Sequence, residues 1–364
     1  MSGVSAIVLA AGSGSRMRST RPKPLHMLCG KPMLVYVLDA LAAARPDRMV
    51  LVVGQGAEQV SKKLIDLAPD VALDLVEQRV PSGTGDAASV GLTVLEDDLV
   101  DDDHVLVAPG DAPLVQAATI ASLVAHQLES GAAATILTAA AGPTHVGYGA
   151  IVRDRHGHIA RVASPGEPHV EVGAGDEVAS GLYCFRRNLL APALRRITPG
   201  LPDGEIRLDD VIAVLHETGH PIEAIAVDEP RDVAGVNDRV QLADAEAVLR
   251  QRTNRHWLAA GVTMVDPART CIDATVELAP DVTLFPGTLL QGRTVVGEGA
   301  EIGPDSQLVD CAIGAGAKVK KTMARDAEVG PGAIVGPFAV LEPGAQVPPG
   351  VETGPFQVFR GEDD

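Results

Sequence analysis

Aromatic residues make up only 2% of this 364-residue chain, yet its hydrophobic share reaches 46%. The core therefore has to be built from Ala, Val, Leu and Ile in strands and helices, and stacked rings play little part in it. Glycine (38) and proline (26) are plentiful, so many tight turns are expected between those elements. Cysteine is scarce and dispersed: Cys29, Cys184, Cys271 and Cys311 form no Cys-x-x-Cys pair. That argues against a zinc ribbon or a disulfide scaffold and for free thiols in a reducing compartment. There is no apolar run near 18 residues and no basic leader with an apolar stretch behind it. A membrane span and a signal peptide are therefore not expected, and the reading is cytoplasmic. Positive charge is in deficit, with a net charge of −18. Such a chain repels nucleic acid and anionic membranes, so neither is an expected partner. A polyanionic ligand would need locally placed cations or a metal. Most of the acidic surplus reads as solvated or halotolerant surface.

The length exceeds that of one typical domain, so two are expected. From Ser5 to about Asp228, short apolar runs alternate with amphipathic segments. Strands are predicted at Ala6–Leu9, Met49–Val53, Ala72–Val76, His104–Val107 and Ala134–Leu137. Helices are predicted at Met33–Ala44, Glu58–Leu67, Asp86–Leu95 and Thr119–Glu129. This alternation, with nearly continuous apolar strands, predicts an α/β domain with a Rossmann-like, mostly parallel sheet covered on both faces. Ligands in such sheets bind at the carboxyl ends of the strands. Residues 238–260 carry two rows at helical spacing, Val240/Ala243/Ala247 and Leu242/Ala245/Leu249, and predict a connecting helix.

After Val276 the period changes. Val296, Ile302 and Leu308, then Ile313 and Val319, then Val329, Val335, Leu341 and Val347 recur in steps of six, with Gly, Pro and Asp between them. That period marks a parallel β-helix, each aliphatic filling one face of a coil. Slips in register at 308–313 and around 320–328 suggest inserted turns. At about 18 residues per coil, roughly four coils are expected. The predicted division is 1–228 for the α/β domain, 229–262 for the connecting helix, 263–354 for the β-helix and 355–364 for an acidic tail.

The chemistry begins where the first strand ends. The run Ser5–Ala11 breaks into Gly12-Ser13-Gly14-Ser15-Arg16-Met17, and Pro22-Lys23-Pro24-Leu25 follows. Small residues let backbone N–H groups approach phosphates, and nearby cations neutralise them. The turn is neither Gly-x-Gly-x-x-Gly nor Gly-x-x-x-x-Gly-Lys-Ser/Thr, so alone it is weak; Arg16 and Lys23 strengthen it. Lys23 also reads as a solvated surface charge.

These residues, with Leu9-Ala10-Ala11-Gly12, Leu25-His26 and Gly30-Lys31-Pro32-Met33, resemble the signature of sugar-nucleotide pyrophosphorylases. More narrowly, the chain resembles the bifunctional N-acetylglucosamine-1-phosphate uridylyltransferase / glucosamine-1-phosphate acetyltransferase family. The likeness runs through residues 4–350 and includes the β-helix, which would be left-handed. It implies an Mg²⁺-dependent transfer of uridylyl from UTP to a sugar-1-phosphate, with release of pyrophosphate. It implies that Leu9, Ala10, Ala11 and Gly12 hold the nucleotide, and that Arg16 and Lys23 neutralise the triphosphate as the catalytic cations. Gln78 would read the uracil edge, with Gly83 and Thr84 beside it. Gly110 and Asp111 end a strand, and Asp111 would ligate Mg²⁺; Gly149 would line the sugar site; Asn237 would be the second metal ligand. It also implies a homotrimer through the β-helix. From the residues alone, Asp111 has a second reading as turn chemistry, and Asn237 reads equally as an ordinary helix N-cap. His26 is expected to pack behind the glycine turn. His145, His156, His158 and His169 are expected in solvent.

The sugar half departs from the family pattern. Ala179 stands where an Asn contacts the acetamido group, and Ser164 where a Glu contacts the sugar, with Glu167 nearby as a substitute. Pro81 and Asp86 replace a Gln and a His around the Gly83-Thr84-Gly85 turn, Pro109 replaces an aromatic, and Gly204-Glu205-Ile206 lacks a tyrosine. The acceptor is therefore N-acetylglucosamine-1-phosphate by family or another hexose-1-phosphate by these changes. A nucleotide-sugar-binding or regulatory protein without turnover is the competing reading. No histidine follows His256, so acetyltransferase activity is expected to be absent.

Overall fold

The computed structural model describes residues 3–54, 56–67, 72–95, 103–142, 148–167, 170–198 and 204–361. Two compact units emerge: Met1–His26 with Pro32–Leu242, and Met27–Lys31 with Ala243–Asp364. Gly147, His145 and His169, and the last three residues of the acidic tail, lie outside the described residues.

The first unit is an α/β layer structure. In chain order it comprises β1 (Val4–Ala10), α1 (Met33–Ala43), β2 (Arg48–Val53), α2 (Ala57–Leu67), β3 (Asp74–Glu77), α3 (Thr84–Leu92), β4 (His104–Pro109), α4 (Ala117–Ser130) and β5 (Ala134–Ala140). There follow β6 (Ala150–Arg153), β7 (Ile159–Ala163), β8 (Glu177–Arg186), α5 (Arg187–Arg196), α6 (Asp210–Glu217) and β9 (Ile222–Ala226). The sheet order is β9-β5-β8-β4-β1-β2-β3. Every neighbour pair along this path is parallel except those made by β8, which runs antiparallel to β4 and β5. A β6–β7 hairpin joins the sheet through β8.

Alternation along the strands accounts for the layering, because successive side chains point to opposite faces. Ala6 and Val8 of β1 pack with Leu34, Leu38 and Leu41 of α1 and with Ile120 and Leu123 of α4. Ile7 points the other way, into a cluster with Ala87 and Ala88 of α3, Leu190 of α5 and Val211 of α6. Helices therefore cover both faces, and strands buried on both sides read as unbroken apolar runs. The predicted strand at 72–76 begins two residues later, because only Asp74–Glu77 pairs with Val50–Val53 of β2. α4 stops at Gly131, whose φ of +61° suits glycine and whose N–H bonds the Gln127 carbonyl at 3.2 Å.

Helix α7 (Arg239–Ala259) spans the expected connecting segment. Of its two apolar rows, Ala245 and Leu249 are buried, whereas Val240 is 71% exposed. Asp238 caps it, its Oδ1 accepting from the N–H groups of Val240 and Gln241, both at 2.9 Å.

The second unit contains a short left-handed β-helix of two- and three-residue strands, stacked in three parallel sheets of five, six and five strands. Its coils thus number about five, not four, and begin at Thr263. All nine aliphatics of the six-residue series are buried, none more than 4% exposed. The slips in register are not inserted turns. Leu308 to Ile313, Val319 to Ala324 and Ala324 to Val329 are five-residue steps, and Ala324 fills the inward position that the six-residue count missed. Asp310, Lys321 and Asp326 stand at these shortened corners with φ of +54°, +45° and +45°. A left-handed residue there turns the chain in one residue fewer. Buried hydroxyls tie other corners: Thr288 Oγ1 donates to the Phe285 carbonyl at 2.7 Å, and Thr294 Oγ1 to the Gln291 carbonyl at 2.8 Å. The four cysteines are free thiols.

Candidate active site

The carboxyl ends of β1, β2, β3 and β4 lie side by side, and the glycine turn leaves the first of them. Leu9 and Ala10 pair with Val52 and Val53 on one flank, and Leu9 pairs with Pro109 on the other. Gly12 has open space where a Cβ would point. Gly14 differs: its φ is +62°, and a Cβ there would lie 2.7 Å from the Cβ of Lys23. The glycine thus allows the turn to close against Lys23. Gly110 donates its N–H to the Leu9 carbonyl at 2.8 Å, which sets Asp111 beside the turn.

Four of the expected polar groups meet here. Lys23 Nζ donates to Asp111 Oδ2 in a short ion pair and to Asn237 Oδ1 at 2.9 Å. Arg16 donates to the same Asn237 oxygen at 3.0 Å. The Lys23 side chain is 12% exposed, so it is not a solvated surface charge. Asn237 is not the helix cap, because Asp238 fills that role; this leaves the Asn237 amide oxygen to Lys23 and Arg16. The Asp111 carboxylate engages Lys23, while its backbone carbonyl accepts from Val236 at 2.8 Å and ties the two loops together. An Asx-type turn does not account for that side chain.

Two groups that hold this arrangement escaped the sequence reading. Tyr148, the centre of Gly-Tyr-Gly, accepts from the Gly235 N–H at 2.6 Å and so braces the loop that carries Asn237. Burial pushes its hydroxyl up to about 12. Arg239 bonds the Met17 carbonyl at 3.2 Å and approaches His26 Nδ1 at 3.3 Å. Guanidinium is donor only, so His26 Nδ1 accepts. Burial, with Arg239 and Arg21 nearby, lowers its pKa. His26 packs behind the turn as expected, at 3% exposure.

Gln78 follows β3, buried, with its N–H on the Val53 carbonyl at 2.8 Å. The Gly83-Thr84-Gly85 turn is clamped by residues 206–208: Gly85 donates to the Ile206 carbonyl at 2.8 Å, and Leu208 to Thr84 Oγ1 at 3.0 Å.

Gly149 sits elsewhere along the same sheet, its carbonyl accepting from Ala179 at 2.9 Å. Ala179 is buried. Glu167 is held by both guanidinium nitrogens of Arg161 at 2.8 Å, which lowers its carboxyl, and also accepts from the Ser164 N–H at 3.2 Å. Asp209 lies beside Gly149: a Cβ on that glycine would approach its Oδ2 to 3.6 Å. Tyr183, fully buried against Phe185, donates to Asp209 Oδ1. Burial raises the Asp209 carboxyl, with the Tyr183 hydrogen bond opposing the effect, Asp210 adding to it and Arg207 opposing it.

A carboxyl raised in the folded state lowers stability as pH climbs past its unfolded value. Asp209→Asn keeps an acceptor for Tyr183 and removes that penalty. The substitution is expected to raise the melting temperature at pH 7.5 by about 2–4 °C, the equivalent of about 1 kcal/mol, and to change it little near pH 4. Thermal unfolding across that range checks it; an equal gain at both ends would contradict the account.

A mostly parallel sheet whose carboxyl edge carries a glycine turn, two cations and the side-chain oxygens of Asp111 and Asn237 is that of a nucleotidyltransferase. The MobA-like NTP transferase domain family model matches residues 6–201. The chain is 42% identical over 330 residues to the bifunctional protein GlmU of Streptomyces avermitilis, covering 90% of this chain and 67% of that one. It is 42% identical over 326 residues to its counterpart in Thermobifida fusca (89% and 67%) and 39% identical over 325 residues to that of a Geobacillus species (89% and 69%). The chain belongs to the MobA-like NTP transferases and, among them, to the GlmU-type proteins. Among the described residues no helix is long and apolar enough to cross a membrane.

Proposed function

We propose that the chain is a sugar-1-phosphate uridylyltransferase that joins UTP and a sugar-1-phosphate into a UDP-sugar and pyrophosphate. The observation that carries this is the convergence of Lys23, Arg16, Asp111 and Asn237 beside the glycine turn. A phosphate oxygen of the acceptor would attack the α-phosphorus of UTP; the bond from the α-phosphorus to the bridging oxygen breaks, and pyrophosphate leaves with the electron pair. Such chemistry needs in-line placement and charge neutralisation more than covalent help. Backbone N–H groups of residues 9–12 would cradle the phosphates, and Arg16 and Lys23 would offset their charge.

Mg²⁺ fits the donor set. Asp111 and Asn237 turn hard oxygens toward one cation, the Lys23 ammonium, and Mg²⁺ commonly takes only one or two ligands from protein. When bound, it would neutralise charge on the transferring phosphates.

N-acetylglucosamine-1-phosphate is the acceptor favoured by family. A different hexose-1-phosphate is favoured by the apolar Ala179 beside Gly149 and by the commitment of Glu167 to Arg161. A pyrophosphate-release screen of four NTPs against a panel of sugar-1-phosphates with Mg²⁺ decides between them. No release from any pair, with UTP or UDP-sugar still bound, would favour a binding protein without turnover.

The β-helix supports a homotrimer. On one of its three sheets the outward ladder runs Leu289, Gln307, Met323, Val340, Val358. Its four apolar members are all exposed, Met323 to 61%. The outward positions of the other two sheets include Glu301 and Lys318, and Glu277 and Glu328. Val295 is the exposed large aliphatic of the Glu277 ladder, but a continuous apolar stripe runs along the Leu289–Val358 ladder, and such a stripe suits contact with further copies of the chain. Met323→Glu is expected to shift the light-scattering mass from trimer to monomer; a wild-type protein that is monomeric throughout would refute the assembly.

A further inference from the structure

We infer that Asp86 sets the nucleobase preference of this chain by fixing which end of the Gln78 amide meets the base. The inference rests on the uridylyltransferase reading, in which a base lies against Gln78.

The amide orientation follows from its partners. Gln78 Nε2 lies 2.6 Å from Asp86 Oδ2 and 3.2 Å from the Gly83 carbonyl. A carboxylate and a backbone carbonyl can only accept. The opposite orientation would bring three acceptor oxygens together, so the NH₂ group must face inward. Both of its hydrogens are committed there, and Oε1 is left as the polar atom for a ligand. Gln78 is 6% exposed, so solvent cannot cheaply compensate a wrong orientation.

The backbone that carries the two acceptors is fixed. Asp86 stands in the first turn of α3, where the helix N-terminus favours negative charge. Gly83, with φ of +102°, packs so closely that a Cβ would lie 2.4 Å from the Ile206 carbonyl. Ile206 also donates to the Ser82 carbonyl at 2.8 Å. At this position the family pattern carries a histidine, and a neutral imidazole has both a donor and an acceptor nitrogen. Asp86 has no donor and leaves the amide one choice.

An acceptor at Oε1 matches a base edge that offers a ring N–H. Uracil offers N3–H, whereas cytosine presents a lone pair at N3. The two pyrimidines are alike in size, so the preference depends on the amide orientation. Asp86 is a positioning residue: it touches Gln78, and Gln78 touches the base.

The test compares UTP with CTP for wild type, Asp86→Ala, Asp86→Asn and Gln78→Ala, as kcat/KM and as equilibrium dissociation constants, so that turnover is not required. Wild type is expected to prefer UTP. Asp86→Ala frees the amide to rotate and is expected to narrow the UTP/CTP ratio about tenfold, the effect of one buried hydrogen bond, through KM and not kcat. Asp86→Asn can turn its own amide oxygen to Nε2 and is expected to restore most of the ratio. Gln78→Ala is expected to lose it. A ratio unchanged in Asp86→Ala, or a parallel loss for both nucleotides with a lower melting temperature, would overturn the inference and leave the uridylyltransferase reading intact. Wild type that binds neither nucleotide would overturn both.

Discussion

Asp111→Ala is expected to lower pyrophosphate release from UTP about a thousandfold or more, with nucleotide binding weakened far less. Removing one preorganised electrostatic group from an active site costs about 10²–10³ in rate. Asp111 would contribute more than one such group: it would ligate the metal, and it holds Lys23 in place. Among the described residues, its loss leaves the Lys23 ammonium with only the neutral Asn237 oxygen. Asp111→Asn keeps size and shape and separates charge from packing; it is expected to be nearly as slow. Single-turnover rates alongside calorimetric UTP affinity check the prediction. A rate within tenfold of wild type would remove Asp111 from the chemistry.

Lys23→Ala is expected to cost about 10²–10³ in kcat/KM, because a cation aimed at the triphosphate is worth most where charge develops on the departing pyrophosphate. Lys23 bonds both Asp111 and Asn237, so the three side chains form one unit. Substitutions within a unit are not additive. The Lys23→Ala/Asp111→Ala double variant is therefore expected to be little slower than Asp111→Ala alone. Steady-state kinetics on the three variants close the cycle; full additivity would mean that the contacts between Lys23 and Asp111 have no functional consequence. Lys23→Arg is not a conservative rescue, since the larger guanidinium would have to fit between Asp111 and Asn237 where the compact ammonium now sits.

Much of the fold was legible because its signals are periodic. Strands buried on both faces leave continuous apolar runs, and a β-helix coil repeats its inward aliphatic every six residues. Where periodicity lapsed, so did the reading. The five-residue corners at Asp310, Lys321 and Asp326 looked like insertions because a count cannot distinguish a lost residue from an added turn. The β6–β7 hairpin and β8 went unread, for β8 takes its place between β4 and β5 only through long-range pairing.

The site divides in the same way. The glycine turn, Arg16 and Lys23 could be singled out locally, because phosphate binding at a strand end imposes small residues and cations within a short stretch of chain. Whether Asp111 was a turn residue and Asn237 a helix cap had no local answer. Asp238 took the cap, Asp111 met Lys23, and Tyr148 braced Gly235 from 87 residues away. The orientation of Gln78 was likewise invisible until Asp86 and the Gly83 carbonyl stood on the same side of its amide.

By itself, then, the sequence determined the α/β class, the β-helix period and the family, and it marked the strand end that carries the glycine turn and two cations. Each of these is written in neighbouring residues or in a repeat. The tertiary structure alone decided which polar side chains face one another, because hydrogen bonds and ion pairs act over about 3 Å in space and ignore distance along the chain.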